Sequence, residues 1–228
     1  KLHAKLLTGA AALALSTTVN AGELRGSYAA IEGGAAWIGS ERLAQSVAVS
    51  NVITTSALFG ADFDTGWAVF ASLGYAFENN LRAELEVGYR RNDIDRLVLL
   101  TTPTVLTSNG DLSEFTVMAN LLYDLALGDK LTLSIGAGVG ADHANLDATA
   151  LGVDDGEWFF AYQGIAGLNY AIGRQTQLFV NYRYLHVDAP EYTAVIGPNT
   201  VQNTTFLGDL GKHTATLGLR FFFDDGRP

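Results

Sequence analysis

Three histidines, His143, His186 and His213, are the side chains best suited to proton transfer in the body of this sequence. A lipid hydrolase would need one of them beside a serine and an acid. Each falls at the end of an alternating apolar segment and shares the parity of its apolar members. An imidazole in that position reads as an interfacial polar group, not a general base. Only His186 and His213 come from neighbouring segments, too few for a metal centre. The run Asp154-Asp155-Gly156-Glu157 offers oxygen ligands but lacks the alternating spacing of a calcium loop, so it reads as a solvated acidic loop. Gly136-x-Gly138-x-Gly140 has glycines enough for a phosphate cradle, yet no helix follows, and a dinucleotide site needs strand, turn and helix. With no cysteine in the chain, thiolate metal sites and disulfide frameworks are excluded. No catalytic residue, metal ligand or cofactor is expected.

The elements that carry these residues have a period of 2 almost throughout. Eight alternating segments can be drawn: Tyr28–Ile38, Trp67–Phe77, Leu81–Arg91, Phe115–Leu125, Leu131–Ala141, Trp158–Ile172, Thr176–Val187 and Thr214–Phe223. Most have the length of a tilted membrane strand, about 9–11 residues. Three links between them are tight (78–80, 126–130 and 173–175). The other four are long (39–66, 92–114, 142–157 and 188–213). Long and short alternate strictly, as periplasmic turns and extracellular loops do in an up-and-down barrel. The fold class expected is all-β, an eight-stranded antiparallel up-and-down transmembrane β-barrel.

One face of every segment is apolar; the other is polar, charged or very small. A soluble ligand-binding barrel would turn the apolar face inward. Here the glycines Gly74, Gly88, Gly136, Gly138, Gly140, Gly167 and Gly218 share the polar face. The interior of an eight-stranded barrel is just wide enough for side chains, so small residues belong inside. Aromatics such as Trp37, Trp67, Tyr75, Tyr123, Tyr182 and Phe223 cluster at the ends of the apolar face, where interfacial girdles sit. The apolar face is therefore the outside. Glu32, Glu84, Glu86, Arg90, Arg183 and Arg220 then share the inward parity of their strands. Buried charges must be paired. An internal ion-pair network centred on Arg183 is expected to close the barrel, with a water channel as the alternative. Shear makes strand heights approximate, so no individual pairs are assigned.

The chain resembles the opacity-type, OmpA-like small outer-membrane barrels of Gram-negative bacteria, a porin-like class of surface antigens. The resemblance rests on Gly66–Tyr75, Leu81–Arg90, Asn181-Tyr182-Arg183-Tyr184 and the closing Thr216–Phe221, and it spans nearly the whole chain beyond the leader. It implies an outer-membrane location and folding by periplasmic chaperones and the outer-membrane assembly machinery. It also implies that Leu219, Phe221 and Phe223 of the aromatic-ended last strand form the assembly signal.

Residues 1–21 read as a signal peptide: Lys1 and Lys5 precede the apolar run Leu6–Leu15, and Val19-Asn20-Ala21 places small residues before the cut. Residues 22–228 form the barrel domain with a short C-terminal tail. Losing the leader, which has two lysines and no acid, takes the net charge from -10 to -12. Such a surface repels nucleic acid. Acids assigned to the long links, among them Glu114 and Asp142, outnumber bases such as Lys212, so most of the charge is expected outside. Outer-membrane lipids and lipopolysaccharide are the expected partners, with an unidentified surface ligand besides.

The functional expectation is a non-enzymatic surface barrel that contributes to envelope integrity and to surface recognition. Leu97-Val98-Leu99-Leu100, and Val195-Ile196 with Val201 and Phe206, support an adhesin alternative, because apolar stretches in loops mark interaction sites. A narrow porin-like channel and a lipid A-modifying hydrolase are the remaining alternatives.

Overall fold

The computed structural model describes residues 24–38, 41–49, 52–99, 104–106, 110–148, 153–187, 191–197, 200–206 and 210–223. The expected leader and the tail after Phe223 lie outside the described residues. The described elements are all strands: β1 (Gly26–Ile38), β2 (Glu41–Val49), β3 (Val52–Phe63), β4 (Gly66–Ala76), β5 (Leu81–Leu99), β6 (Thr104–Leu106), β7 (Gly110–Ala126), β8 (Leu131–Ala148), β9 (Val153–Ala171), β10 (Thr176–Val187), β11 (Glu191–Gly197), β12 (Thr200–Phe206) and β13 (Leu210–Phe222).

Eight of these close into a barrel. Antiparallel pairing runs β1–β4–β5–β7–β8–β9–β10–β13, and β13 returns to β1 with Glu32 opposite Gly218. Closure leaves the barrel wall no open edge, the condition for a sheet to cross lipid. The tight turns are short for local reasons. After β4, Asn80 takes φ 65°, a left-handed conformation that asparagine tolerates. Phe77 N donates to Leu81 O at 2.8 Å across this turn.

The faces are inverted relative to a water-soluble barrel. Ile31, Leu73, Leu85, Ile135 and Leu217 are all more than half exposed on the outer wall. Their inward neighbours Glu32, Glu84, Glu86, Ser134 and Thr216 are buried. An apolar outer belt of this extent is stable only against lipid.

The barrel strands reach further than the alternation suggests. β5 continues to Leu99, β7 begins at Gly110, β8 runs to Ala148, β9 starts at Val153 and β13 starts at Leu210. Asn92, Glu114, Asp142 and Lys212 are consequently wall residues buried in the lumen, not loop residues. Likewise Asp154-Asp155-Gly156 is strand, paired with Asn145-Leu146-Asp147 of β8. The physical reason is that the outer face meets water above the membrane. Polar residues such as Arg91, Asp93 and Ser113 can then stand outward, and the apolar-polar contrast disappears while strand pairing continues.

The first and last long links also contain strands. They join with the upper part of β5 into a small extracellular sheet in the order β11–β12–β2–β3–β5–β6. β2 pairs with β12, so the links flanking β1 and β13 are hydrogen-bonded to one another above the barrel.

Candidate functional site: the lumen

Five bases and five acids are buried in the lumen among the described residues: Arg82, Arg90, Arg183, Lys212 and Arg220 against Glu32, Glu84, Glu86, Glu114 and Asp142. They lie in three layers. Each layer is filled from several strands because an inward side chain on every second residue is all that an eight-stranded wall provides.

The middle layer is built on Arg183 of β10. Its Nη1 donates to Glu32 Oε2 of β1 at 2.8 Å and to Thr216 Oγ1 of β13 at 3.2 Å. Its Nη2 bonds Glu32 Oε1 and, at 2.8 Å, Glu86 Oε2 of β5. One guanidinium therefore ties three other strands to its own. Asn181 Nδ2 and Thr216 Oγ1 donate to Glu32, and Gln163 Nε2 donates to Glu86 Oε1 at 3.1 Å. Gln163 also donates to Asn120 Oδ1, and Asn120 Nδ2 to Glu84 Oε1, which links the middle layer to the lower one. A carboxylate removed from water needs several donors, and these supply them.

In the lower, periplasmic layer Tyr28 OH donates to Glu84 Oε2 at 2.7 Å. Arg82 lies 3.5 Å from Asp124, and Ser134 joins them, donating to Asp124 at 2.5 Å. Arg220 Nη1 donates to Asn169 and Gln177, which are neutral amides. Beneath this layer Leu24, Tyr28, Phe179 and Phe222 form an apolar cluster. In the upper layer Lys212 of β13 pairs with Glu114 of β7, and with Asp142 of β8 at 2.7 Å. Arg90 donates to Thr214 and Thr116. Ile38 and Leu185 flank Lys212 on the neighbouring strands, and Ile94, Leu112 and Val187 are buried further up their strands.

Aromatic rings separate the stacked cations. Phe70 has Arg90 at 4.8 Å and Arg183 at 4.6 Å from its ring centre. Tyr28 sits between Arg82 at 5.7 Å and Arg220 at 5.1 Å, and Phe179 lies 4.6 Å from Arg220. A ring face carries negative charge density, so Phe70 and Tyr28 each attract both of their cation neighbours where direct contact would repel. Glycines make room. A Cβ on Gly218 would fall 2.5 Å from both Glu32 and Phe179, and one on Gly74 would fall 2.3 Å from the Tyr28 ring.

Of the six lumen residues singled out from sequence, the structure brings Glu32, Glu86 and Arg183 into direct contact. Glu84 joins them through Asn120 and Gln163, while Arg90 and Arg220 lie in other layers on hydroxyl and amide partners. Sequence reasoning missed Tyr28, Arg82 and the triad of Lys212, Glu114 and Asp142. The inward parity of Lys212 and Thr214 on one strand was the available signal. Leu219, Phe221 and Phe223 stand outward and exposed at the end of the closing strand.

The histidines stand at the outer rim against aromatic rings. His143 meets Trp158 edge-on, His186 stacks on Tyr162, and His213 stacks on Trp37 with its Nδ1 2.7 Å from Tyr182 OH.

Residues 6–221 match the model of the outer membrane protein beta-barrel domain family. An outer membrane protein of Gluconacetobacter diazotrophicus is 28% identical over 254 residues, which cover 100% of this chain and 65% of that relative's length. Among solved structures, Neisserial surface protein A aligns over 86% of this chain and 97% of its own, with TM-score 0.50 and 19% identity. OprG of Pseudomonas aeruginosa aligns over 87% and 97%, with TM-score 0.53 and 14% identity. These structural likenesses agree with the closed pairing of the eight strands and the inverted faces. The chain belongs to the outer membrane protein beta-barrel family, and its place is the outer membrane of the cell.

Proposed function

We propose that this protein is a non-enzymatic surface barrel with a closed lumen, which serves the envelope as a structural element and displays its extracellular sheet. The observation that carries this reading is the middle layer: Arg183, Glu32 and Glu86 meet across the lumen, and none is more than 6% exposed. A continuous water path would have to pass this contact, the paired upper layer and the lower apolar cluster. The contacts of the histidines are with aromatic rings and a phenol, an environment that suits interfacial anchoring better than acyl transfer. Lipopolysaccharide and the assembly machinery are the partners this reading entails.

The extracellular sheet favours recognition as a second role. It is assembled from strands of separate links, so it presents a defined surface and not independent loops. Planar-bilayer recording of the full chain tests the first role, with no sustained conductance expected; steady, sizeable conductance would replace it with the narrow pore. Deleting 41–63 and assaying envelope leakage and surface binding separately tests the second. Unchanged binding by the deletion variant would remove the sheet from the account.

A further inference from the structure

The extracellular girdle is uneven around the barrel. Where β10, β13 and β1 adjoin, three rings close on His213: Trp37 stacks on it with ring centres 5.8 Å apart, Tyr184 lies at 5.1 Å and Tyr182 at 6.0 Å. The Tyr182 hydroxyl is 2.7 Å from His213 Nδ1. With that hydroxyl donating, the ring proton sits on Nε2, which can then donate to a further group. All four residues stand near strand ends that lead into the long links, so the cluster is at the extracellular interface.

The Tyr184 ring is drawn toward this cluster and away from its other neighbour. A Cβ on Gly211 of β13 would fall 2.7 Å from the Tyr184 hydroxyl. On the opposite side Tyr184 pairs with Gly164 of β9, yet nothing lies within 4 Å of where a Gly164 Cβ would stand. Gly164 faces lipid, with Ala137 of β8 opposite it and Ala166 next below on the same face. Nearly bare backbone thus floors a strip of the outer wall that leads down from Tyr184. A glycine inside a strand weakens it, and one that fronts open space marks a place where a ligand can approach the backbone closely.

A ring cluster with a donor at headgroup level and a bare strip leading down beside it fit one amphiphile. Among the described residues, those facing outward here, Tyr182, Tyr184, His186, Gly211 and His213, include no carboxylate, whereas Asp93 on β5 is 72% exposed. A phosphate-bearing headgroup is therefore repelled less on this side than over β5. Ring faces are negative and attract the C–H faces of a sugar. We infer that this sector seats one lipopolysaccharide molecule, with its phosphorylated amino-sugar headgroup on Trp37, Tyr184 and His213 and an acyl chain over Gly164 and Ala166. The inference rests on lipopolysaccharide being a partner in the proposed function, and gives that partner a place on the wall.

The test uses the full chain in nanodiscs of phosphatidylglycerol doped with lipid A, with native mass spectrometry reading the lipid retained and the heat-modifiable gel shift reporting the folded barrel. The wild type is expected to retain one lipid A in preference to phosphatidylglycerol. Gly164→Leu fills the strip from the lipid side, away from the lumen, and is expected to lower that retention about tenfold, the worth of roughly two methylene contacts. His213→Ala is expected to weaken retention of bisphosphorylated lipid A more than that of its dephosphorylated form. Gly128→Leu, on a periplasmic turn with open space around it, is expected to retain lipid A as the wild type does. Wild-type retention by folded Gly164→Leu and His213→Ala would overturn the seat while leaving lipopolysaccharide as a general partner. No preference of the wild type for lipid A over phosphatidylglycerol would overturn the partner and the seat together.

Discussion

Replacing Arg183 with alanine removes the group on which the middle layer converges. Arg183 is 1% exposed, and its loss takes from Glu32 two guanidinium bonds and from Glu86 its ion pair. Glu32 keeps Asn181 and Thr216 as donors, and Glu86 keeps Gln163. Neutral donors do not balance two charges held in one low-dielectric layer. Breaking a buried pair by deleting one partner costs roughly 3–5 kcal/mol, which is about two to three and a half decades in the unfolding constant. The assay is reversible urea unfolding in lipid vesicles, followed by tryptophan emission of the girdle. Adding Glu32→Gln and Glu86→Gln to an Arg183→Met background is expected to recover most of the loss, because the uncompensated charge is what destabilises. A loss under about 1 kcal/mol for Arg183→Ala would refute the reasoning, since only a water-filled lumen could solvate both carboxylates so cheaply.

Gly138→Ala would put a Cβ 1.9 Å from Asn120 Oδ1 and 3.1 Å from Ala119 O, so Asn120 must leave Glu84 and Gln163. A loss of about 1–3 kcal/mol is expected, whereas Gly128→Ala, with nothing within 4 Å, should be nearly neutral in the same unfolding assay. Leu85→Arg, at a site 66% exposed on the belt, should cost roughly 2–4 kcal/mol, and Trp158→Arg at the rim about 0–1 from charge placement. Equal costs at the two depths would contradict the lipid-facing assignment.

The fold was legible because the membrane imposes two independent regularities on the chain. Period-2 alternation located the eight segments, and β10 carries the same bounds, Thr176–Val187, in both readings. Alternation of long and short links gave the direction of the strands. The signal failed where the environment changed. Above Arg91 the outward residues Asp93 and Ser113 face water, so nothing in the pattern separates strand from loop, and Glu114, Asp142 and Lys212 were assigned to solvent. The candidate site was legible as a set of inward parities but not as a set of pairs. Which charges meet depends on the stagger between strands, and that is fixed by closure, when Glu32 comes opposite Gly218. Tyr28 carried no visible charge signal, yet it donates to Glu84 and separates two arginines.

The ordering of the lumen bears on where function resides. A conducting barrel gains by leaving its interior charges solvated, because water then lowers the cost of each of them. Here Arg183 and Lys212 meet carboxylates across the lumen, Phe70 and Tyr28 each contact two arginines, and the glycines stand where bulky neighbours need volume. These features lower the energy of a filled interior and would add nothing to an open one. They tie β1, β5, β10 and β13 to one another beneath the extracellular sheet. Of the strands that carry that sheet, β5 directly and β1, β4, β10 and β13 through the flanking links, Arg183 and its partners hold all but β4. The lumen network therefore acts as a support: it fixes the relative heights of strands from which the surface sheet is built, and on the proposed reading any recognition falls to that sheet.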